Sequence, residues 1–438
     1  MHSDPHTGPR TGPGSDPDTG PGSAPDTGPR CDPGAASRSE PGTAPRARPG
    51  TGPGSDPDTG PGSGQGTGPS SAPRADPRPA PQGPGRAETA PGLAPEARPL
   101  LDALAAFFPD IGGAVTDAAE ARRVLAAAPA SPFAVPQVGS VVDRVIPGPA
   151  GAPELPVRVY LPEAAGEPEA GPPPGPRPTV VFFHGGGWSL CDLDTYDATA
   201  RGLCRGARAA VVSVDYRLAP EHPFPAAVED AYAAVAWAAG HRAELGGAQG
   251  PLVVAGDSAG GNLATVSALR ARDHDGPDIA LQVLIYPSVD ARERTRRTGG
   301  EDVDADDPTG AEPRDSFLTA AHCRWFREQY LGAYLRAGGD PADPRVSPLL
   351  ADLAGLPPAH VVTAGFDPLR DEGRAYAARL RDAGVAVTER HFPAMFHGFL
   401  GFPPLLADAR TAQESVIEAI ASTMDGRKNS GPAGGGAG

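Results

Sequence analysis

Ser258 has the sequence setting that most clearly indicates chemistry. It is the central residue of GDSAG, a Gly-x-Ser-x-Gly pattern that directly follows the apolar run LVVA and leads into the helical pattern GGNLATVSALRAR. A serine on a sharp strand-to-helix turn requires small residues two positions away on both sides, because its backbone angles are strained. The new helix also directs free N–H groups at a bound carbonyl. The pattern predicts a nucleophile at Ser258, and an idle serine in a glycine-rich structural turn is the alternative.

A second glycine-rich segment, HGGGW, begins at His184 and follows the apolar run TVVFF. Glycines let the backbone approach a substrate closely and point its N–H groups inward. Such donors stabilise the anionic oxygen of an acyl-transfer transition state by about 3–4 kcal/mol each. We predict an oxyanion hole formed by the N–H groups of Gly186, Gly187 and Ala259. His184 is expected to hold the shape of the loop rather than to act as a base, and Trp188 either forms a pocket wall that binds substrate or simply packs.

The base and the acid that would activate the serine are predicted near the end of the chain. His397 lies in PAMFHGF, six residues past the apolar run VAVTERH, whereas the competing His391 lies within that run. Asp367 lies three residues past the run HVVTA, whereas Asp371 and Glu372 fall inside the next predicted helix. An imidazole takes the serine proton, and a buried carboxylate fixes its tautomer. The chain order serine, Asp367, His397 therefore predicts a catalytic triad.

These residues need a sheet that brings them to one edge. Short apolar runs (TVVFF, AAVVSV, LVVA, LQVLI, HVVTA and VAVTERH) alternate with predicted helices at about 195–207, 225–239, 260–272, 371–383 and 405–423. This alternation is typical of a doubly wound, mostly parallel α/β sheet covered on both faces. Functional groups in such sheets gather beyond the carboxyl ends of the strands. Two earlier segments, VGSVVDRVIPG and LPVRVYLP, are predicted to form exposed-edge strands.

The N-terminal region has a different composition from the rest of the chain. No Leu, Ile, Val, Phe, Trp or Tyr occurs from Met1 to Pro91, and TGPGSDPDTGPGS occurs twice. A segment without large apolar side chains cannot offset the entropy of ordering its backbone. We therefore predict a disordered Pro/Gly-rich tail at 1–95, a folded domain at 96–425 and a second disordered tail at 426–438.

Two segments of the folded region fall outside the strand–helix alternation. Residues 96–140 contain two predicted helical pieces, and residues 287–345 are strongly polar before they become helical. We predict that these segments together form a helical cap over the sheet edge. The alternative for the second segment is a disordered surface loop that ends in one helix.

Charge and cysteine content restrict the partners and the compartment. The formal net charge of −16 repels phosphate backbones, which argues against nucleic acid as a partner. The 4 cysteines show no paired metal spacing, and the sequence has no signal-peptide pattern and no apolar run long enough to span a membrane. We predict a cytoplasmic protein without a metal or other cofactor. A homodimer is compatible with the sequence, which does not fix the oligomeric state.

Taken together, the motifs resemble the bacterial hormone-sensitive-lipase family of esterases, in the branch with a GDSAG motif. The resemblance covers about 96–425 and rests on HGGGW, DYRLAPEHPFPAAVEDA, GDSAGGNLA, DPLRDEG and FHGF, which occur in this order. It implies an α/β-hydrolase fold with a helical cap and no cofactor. It also implies Ser258, Asp367 and His397 as the triad and Gly186, Gly187 and Ala259 as the oxyanion donors.

The expected function is hydrolysis of small carboxylic esters through an acyl-enzyme. The resemblance implies short to medium acyl chains, and removal of an acetyl group from a small metabolite is one form of this reaction. The alternatives are an amide or lactone hydrolase and a non-catalytic small-molecule receptor on the same fold. Asp257 is expected to stabilise the turn. Asp215, Arg217 and Glu221 are expected to fix a buried turn behind the site. The long polar stretch at 292–316 departs from the family pattern, so the acyl and alcohol preferences stay open.

Overall fold

The apolar runs of the sequence form one eight-stranded sheet. The computed structural model describes residues 92–128, 133–163, 176–292 and 315–429. The strands are β1 Ser140–Ile146, β2 Leu155–Leu161, β3 Thr179–Phe183, β4 Ala210–Val214, β5 Leu252–Asp257, β6 Leu281–Ile285, β7 Ala359–Phe366 and β8 Val387–Phe396. Their order is β1-β2-β4-β3-β5-β6-β7-β8, and every pair from β4 to β8 is parallel. The predicted doubly wound, mostly parallel sheet is confirmed.

The prediction of two exposed-edge strands is right for β1 and wrong for β2. Strand β1 lies at the sheet edge, and all of its residues except Ile146 are exposed or half-buried. Strand β2 pairs in antiparallel fashion with both β1 and β4, and its Val157 and Val159 are buried. The alternation of apolar and polar residues in LPVRVYLP describes its two faces. It carries no information about whether a second strand covers its other edge.

Eight helices surround this sheet in the described ranges. They are α1 Ala97–Phe107, α2 Ala118–Ala126, α3 Asp197–Ala207, α4 Ala226–Gly240, α5 Ala259–Asp273, α6 Ala320–Arg336, α7 Arg370–Asp382 and α8 Ala407–Asn429. Helices α4, α5 and α7 pack in the hydrophobic cluster on one face of the sheet. Helices α3 and α8, together with the start of α1, pack in the cluster on the other face. Helix α5 is buried along almost its whole length, as expected for the helix that leaves the central strand β5.

The helices from the two predicted cap segments share a third, smaller hydrophobic cluster. Ile111, Ala118 and Ala121 from the N-terminal segment pack with Trp325 and Phe326 of α6, over Leu190 and Leu369 from the sheet domain. The indole of Trp325 also donates a 3.1 Å hydrogen bond to the carbonyl of Thr116. Most of the predicted polar part of the second segment, at 293–314, lies outside the described residues. Of the predicted tails at 1–95 and 426–438, the structure describes only 92–95 and 426–429, and residues 426–429 belong to helix α8.

None of the helices in these described ranges combines the length and apolar composition needed to cross a bilayer. Within the described ranges, Cys191, Cys204 and Cys323 form no disulfide. Cys31 lies outside the described residues.

Candidate active site

The strand register brings the sequence motifs together in two pairs. Phe183 at the end of β3 is the register partner of Gly256 near the end of β5, so HGGGW and GDSAG emerge side by side. Phe366 at the end of β7 is the partner of Phe396 at the end of β8. Both strands run further than the apolar patterns indicate, so Asp367 and His397 directly follow their strands instead of lying several residues beyond them.

Ser258 occupies a strained turn between β5 and α5. Its backbone angles are φ 54° and ψ −118°, a combination that residues other than glycine rarely adopt. Its N–H donates a 2.9 Å hydrogen bond to the carbonyl of Ile285, and its own carbonyl accepts from the N–H of Ser288 at 3.1 Å. The loop after β6 therefore holds the turn on both sides. The serine is 9% exposed and lies at the wall of a cavity.

Gly260 shows why the positions flanking the turn must be small. A Cβ added there would overlap the carbonyl oxygen of Phe183 and lie 2.6 Å from its carbonyl carbon. Both are backbone atoms of β3, so neither can rotate away. The required close approach couples the turn to the neighbouring strand.

Replacing Gly260 with alanine is expected to lower the free energy of unfolding by about 3 kcal/mol or more, because the added methyl group overpacks rigid backbone. Gly240→Ala is the matched control, since Gly240 also lies in a helix and a Cβ there meets nothing within 4 Å. The control should be neutral or more stable by about 0.5–1 kcal/mol. Urea unfolding of both variants provides the measurement, and equal effects would contradict the packing argument.

His397 and Asp367 form a buried pair. The imidazole Nδ1 lies 2.8 Å from Asp367 Oδ2, and the carboxylate is wholly buried. Asp367 Oδ1 accepts a 2.8 Å hydrogen bond from the N–H of Leu369. This second bond fixes the carboxylate plane. The arrangement holds the proton on Nδ1 and leaves Nε2 as the basic nitrogen.

The competing residues have other partners. Asp371 pairs with its neighbour Arg370, and Glu372 accepts the N–H of Val289 at 2.8 Å. The Nδ1 atom of His391 lies 2.9 Å from the hydroxyl of Thr363, within the β7–β8 pairing. These contacts give each competing side chain a local structural role.

A cavity of about 1150 Å³ lies over the carboxyl ends of the strands. Its wall includes six of the seven predicted site residues: Ser258, His397, Gly186, Gly187, Ala259 and Trp188. The remaining wall is mainly apolar, and α1, α6 and the segment 398–405 all contribute to it. Asp367 lies behind His397 and is not part of the wall. This division is the one expected for a triad, in which the acid orients the base and does not contact the substrate.

The three residues predicted to supply the oxyanion donors line this cavity. Within the described ranges, none of the N–H groups of Gly186, Gly187 and Ala259 donates to another backbone carbonyl. Ala259 is the first residue of α5, whose N-terminal N–H groups have no partner inside the helix. Gly186 and Gly187 have positive φ angles of 102° and 58°, a region that favours glycine.

His184 and Trp188 lie at the two ends of the glycine loop. His184 is fully buried, stacks on Tyr216 at 4.4 Å and has its Nδ1 atom 2.7 Å from the carbonyl of Gly185. Burial lowers the pKa of His184 to about 4, so the ring is neutral. Trp188 stacks flat on Tyr330 of α6 at 4.4 Å and also lines the cavity. Trp188 therefore both forms part of the cavity wall and packs against helix α6.

Two tyrosines contact the site and were not singled out from the sequence. The ring of Tyr286 lies 4.6 Å from that of His397, and Tyr286 directly follows β6. The hydroxyl of Tyr196 donates a 2.8 Å hydrogen bond to Asp257 Oδ2. The strand-end rule that located Asp367 and His397 also applies to Tyr286. Tyr196 carries no comparable signal, because it precedes a helix.

Asp257 is a buried carboxylate, 6% exposed, beside the nucleophile turn. Burial raises its pKa to about 6, although the hydrogen bond from Tyr196 acts in the opposite direction. A carboxyl whose pKa is higher in the folded state binds more protons when folded, so it lowers stability as pH rises from about 4 to 6.

Asp257→Asn removes this titration and is expected to gain stability relative to the wild type across that range. The relative gain in unfolding free energy from pH 3.5 to 6.5 should be about 3 kcal/mol, the equivalent of a two-unit shift. Parallel denaturation curves of both proteins test it, with Asp273→Asn on the exposed end of α5 as the control. A constant difference between wild type and Asp257→Asn across this range would contradict the assignment.

The described residues offer no metal site. Across the four described ranges, no group of three or more His, Cys, Asp or Glu side chains is arranged to hold a metal ion. The prediction that the reaction needs no cofactor stays a prediction.

Comparison with known proteins places this geometry in a family. A family model of the α/β-hydrolase fold matches residues 180–401. The chain is 45% identical over 316 residues to the carboxylic ester hydrolase LipN of Mycobacterium tuberculosis, with 70% of this chain and 77% of that protein covered. It is 39% identical over 338 residues to carboxylesterase NlhH of the same organism, with 76% and 98% covered. A hyperthermophilic esterase structure from Pyrobaculum calidifontis has a TM-score of 0.62 at 37% identity, covering 76% of this chain and 99% of that one. The chain therefore belongs to the α/β-hydrolase fold family, in its hormone-sensitive-lipase-like group of bacterial esterases.

Proposed function

We propose that this protein is a serine carboxylesterase that hydrolyses small carboxylic esters through an acyl-enzyme on Ser258. The observation that carries the proposal is the shared cavity wall. Ser258 and His397 line one space together with Gly186, Gly187 and Ala259, whose N–H groups donate to no backbone carbonyl of the described chain. The names of the relatives, which are carboxylic ester hydrolase and carboxylesterase, support the same reaction class.

In the acylation step, Ser258 Oγ attacks the ester carbonyl carbon and His397 Nε2 takes the hydroxyl proton. The carbonyl electron pair moves onto its oxygen, which the N–H groups of Gly186, Gly187 and Ala259 stabilise. The buried charge of Asp367 stabilises the imidazolium through Nδ1–H. Collapse of the tetrahedral intermediate breaks the bond to the alcohol oxygen, and the imidazolium returns the proton to that oxygen.

In the deacylation step, water takes the place of the alcohol. His397 removes a proton from the water as it attacks the acyl carbon, and the same N–H groups hold the second anionic oxygen. The second collapse releases the carboxylic acid and restores the Ser258 hydroxyl. The backbone strain at Ser258 keeps the hydroxyl presented to the cavity throughout.

The substrate class follows from the cavity wall. The space of about 1150 Å³ is mainly apolar and slightly larger than the pockets of roughly 300–1,000 Å³ that usually hold drug-sized ligands. A small uncharged ester, including the acetyl ester of a metabolite, would fit it. We expect turnover of p-nitrophenyl esters to be highest at acyl lengths of about C2 to C6, and a C2–C12 series at fixed concentration measures this.

The same series separates the alternatives. A non-catalytic receptor would bind p-nitrophenyl esters and leave the hydrolysis rate at that of buffer. An amide or lactone hydrolase would turn over an anilide or lactone of the same acyl group faster than the ester. An optimum above C6 would change the acyl preference and leave the reaction class intact. Absence of ester turnover at every chain length would overturn the proposal.

We also propose a cytoplasmic location, supported by the three cysteines of the described chain that form no disulfide, which is typical of a reducing compartment. A homodimer remains a prediction that light scattering at several concentrations would test. Deletion of residues 1–91 is expected to leave kcat/KM unchanged. A large loss of kcat/KM would assign the tail a part in substrate turnover.

A further inference from the structure

The loop that carries two of the oxyanion donors is strained beyond its glycines. Trp188 and Cys191 also have positive φ angles, of 58° and 68°. Non-glycine residues in this region are strained and persist only when the surroundings hold them. The loop therefore needs restraints from outside its own sequence to keep the N–H groups of Gly186 and Gly187 pointed at the reacting oxygen.

One guanidinium supplies such restraints. Arg122, on helix α2 of the N-terminal segment, donates from Nε to the carbonyl of Ser189 at 2.7 Å, between the two strained residues. Its Nη2 donates to the carbonyl of Ala219 at 2.7 Å. Nη1 and Nη2 also donate one hydrogen bond each, both of 2.8 Å, to the two carboxylate oxygens of Glu221. Glu221 is not in a buried turn, since its side chain is 49% exposed, and its partner is this arginine.

The carbonyl of Ala219 closes a small network around the loop. The N–H of Ala219 donates a 2.8 Å hydrogen bond to the carbonyl of Trp188. Two successive loop carbonyls, those of Trp188 and Ser189, are thus held by the 219–221 turn and by Arg122. Arg122 also donates hydrogen bonds to that turn. Its guanidinium therefore joins helix α2, the 219–221 turn and the loop.

We propose that Arg122 is a positioning residue. It holds the loop at 185–191, the oxyanion loop, in the conformation that points its N–H groups at the reacting oxygen, and it links that conformation to the packing of helix α2. The inference rests on the proposed function of the site. Without the guanidinium, the carbonyl of Ser189 loses its donor and the loop relaxes from its strained form. The N–H groups then point away from the reacting oxygen, while the apolar wall that binds the substrate stays in place.

The experiment compares two ketones of the same acyl shape. A trifluoromethyl ketone accepts Ser258 Oγ at its carbonyl carbon; the proton moves to His397 and the carbonyl electron pair becomes an oxyanion in the hole. The corresponding methyl ketone binds without this addition. We expect Arg122→Gln to weaken inhibition by the trifluoromethyl ketone about 10- to 100-fold, a fraction of the effect of deleting a donor outright. Inhibition by the methyl ketone should change less than about threefold, and kcat should fall with little change in KM.

Arg123→Gln is the matched control, because Arg123 is exposed on the same helix. It should leave both inhibition constants unchanged. Arg122→Lys retains the charge, but an ammonium group cannot form the same set of hydrogen bonds as the planar guanidinium. We therefore expect it to show most of the weakening of inhibition by the trifluoromethyl ketone. If Arg122→Gln fails to fold, Arg122→Lys tests the inference through the same comparison of inhibition by the trifluoromethyl ketone and by the methyl ketone.

Three outcomes separate the possibilities. Equal weakening of both ketones, or a rise in KM alone, would mean that Arg122 only docks the cap and would overturn the inference. Unchanged selectivity for the trifluoromethyl ketone in both Arg122 variants would also overturn it. A wild-type protein that fails to prefer the trifluoromethyl ketone would refute the proposed function itself.

Discussion

Ser258→Ala is expected to lower kcat for p-nitrophenyl acetate or butyrate by about 10⁴- to 10⁶-fold, the range seen when a serine hydrolase loses its nucleophile. No other route to an acyl-enzyme exists at this turn, because Asp257 and Ala259 on either side cannot replace the hydroxyl. The removed oxygen makes no contact that holds the turn, since the turn is held by the backbone of Ile285 and Ser288. The unfolding midpoint should therefore stay within a few degrees of that of the wild type.

Ser267→Ala is the matched control for this variant. Ser267 is a buried serine on the same helix α5, 2% exposed, outside the cavity wall. Its loss should change kcat/KM by less than about twofold, as for a substitution that leaves the transition state untouched. If Ser258→Ala retained a rate close to that of Ser267→Ala, the assignment of the nucleophile would be wrong.

Asp367→Asn is expected to lower kcat by about 10⁴-fold with little loss of folded protein. An asparagine keeps the size of the side chain but can donate its amide to Nδ1 of the imidazole. That contact would put the proton on Nε2, where it blocks the attack of the serine. It would also remove the charge that stabilises the imidazolium, and the carboxylate is wholly buried, so no solvent compensates.

Asp371→Asn tests the alternative acid in the same assay. Asp371 is exposed at the start of α7 and pairs with Arg370, so its replacement should change kcat by less than about twofold. A loss in Asp371→Asn comparable with that in Asp367→Asn would mean that the pairing of Asp367 with His397 is not what orients the base. The two aspartates thus provide a direct comparison four residues apart.

The sequence was informative wherever function requires a residue at a strand end. The run before Asp367 is short and apolar, and the run before His397 begins with three apolar residues, so both strands could be located. Their exact ends, Phe366 and Phe396, could not be predicted, because the last residues of the strands, AGF and FPAMF, match no simple period. Strand boundaries of this kind depend on the neighbouring strand, here on the pairing of Phe366 with Phe396.

Contacts between residues that lie far apart in the chain could not be predicted from the sequence, for a different reason. The interior position of β2 depends on β4, which lies about fifty residues further along the chain. The contact of Arg122 with Ser189 and Glu221 joins segments that have no common pattern. A surface arginine on a short helix has many possible partners, and only the fold selects one. The stacking of Tyr286 against His397 is of the same kind, although its position after β6 could have drawn attention to it.

Labelling with a fluorophosphonate, followed by mass mapping of the modified peptide, tests the central claim most directly. The reagent phosphonylates a serine only where a base and an oxyanion hole act on it together. We predict a single adduct, on Ser258, that is lost in Ser258→Ala and strongly slowed in Asp367→Asn. An adduct on any other residue, or an unlabelled wild-type protein that still hydrolyses esters, would contradict the account.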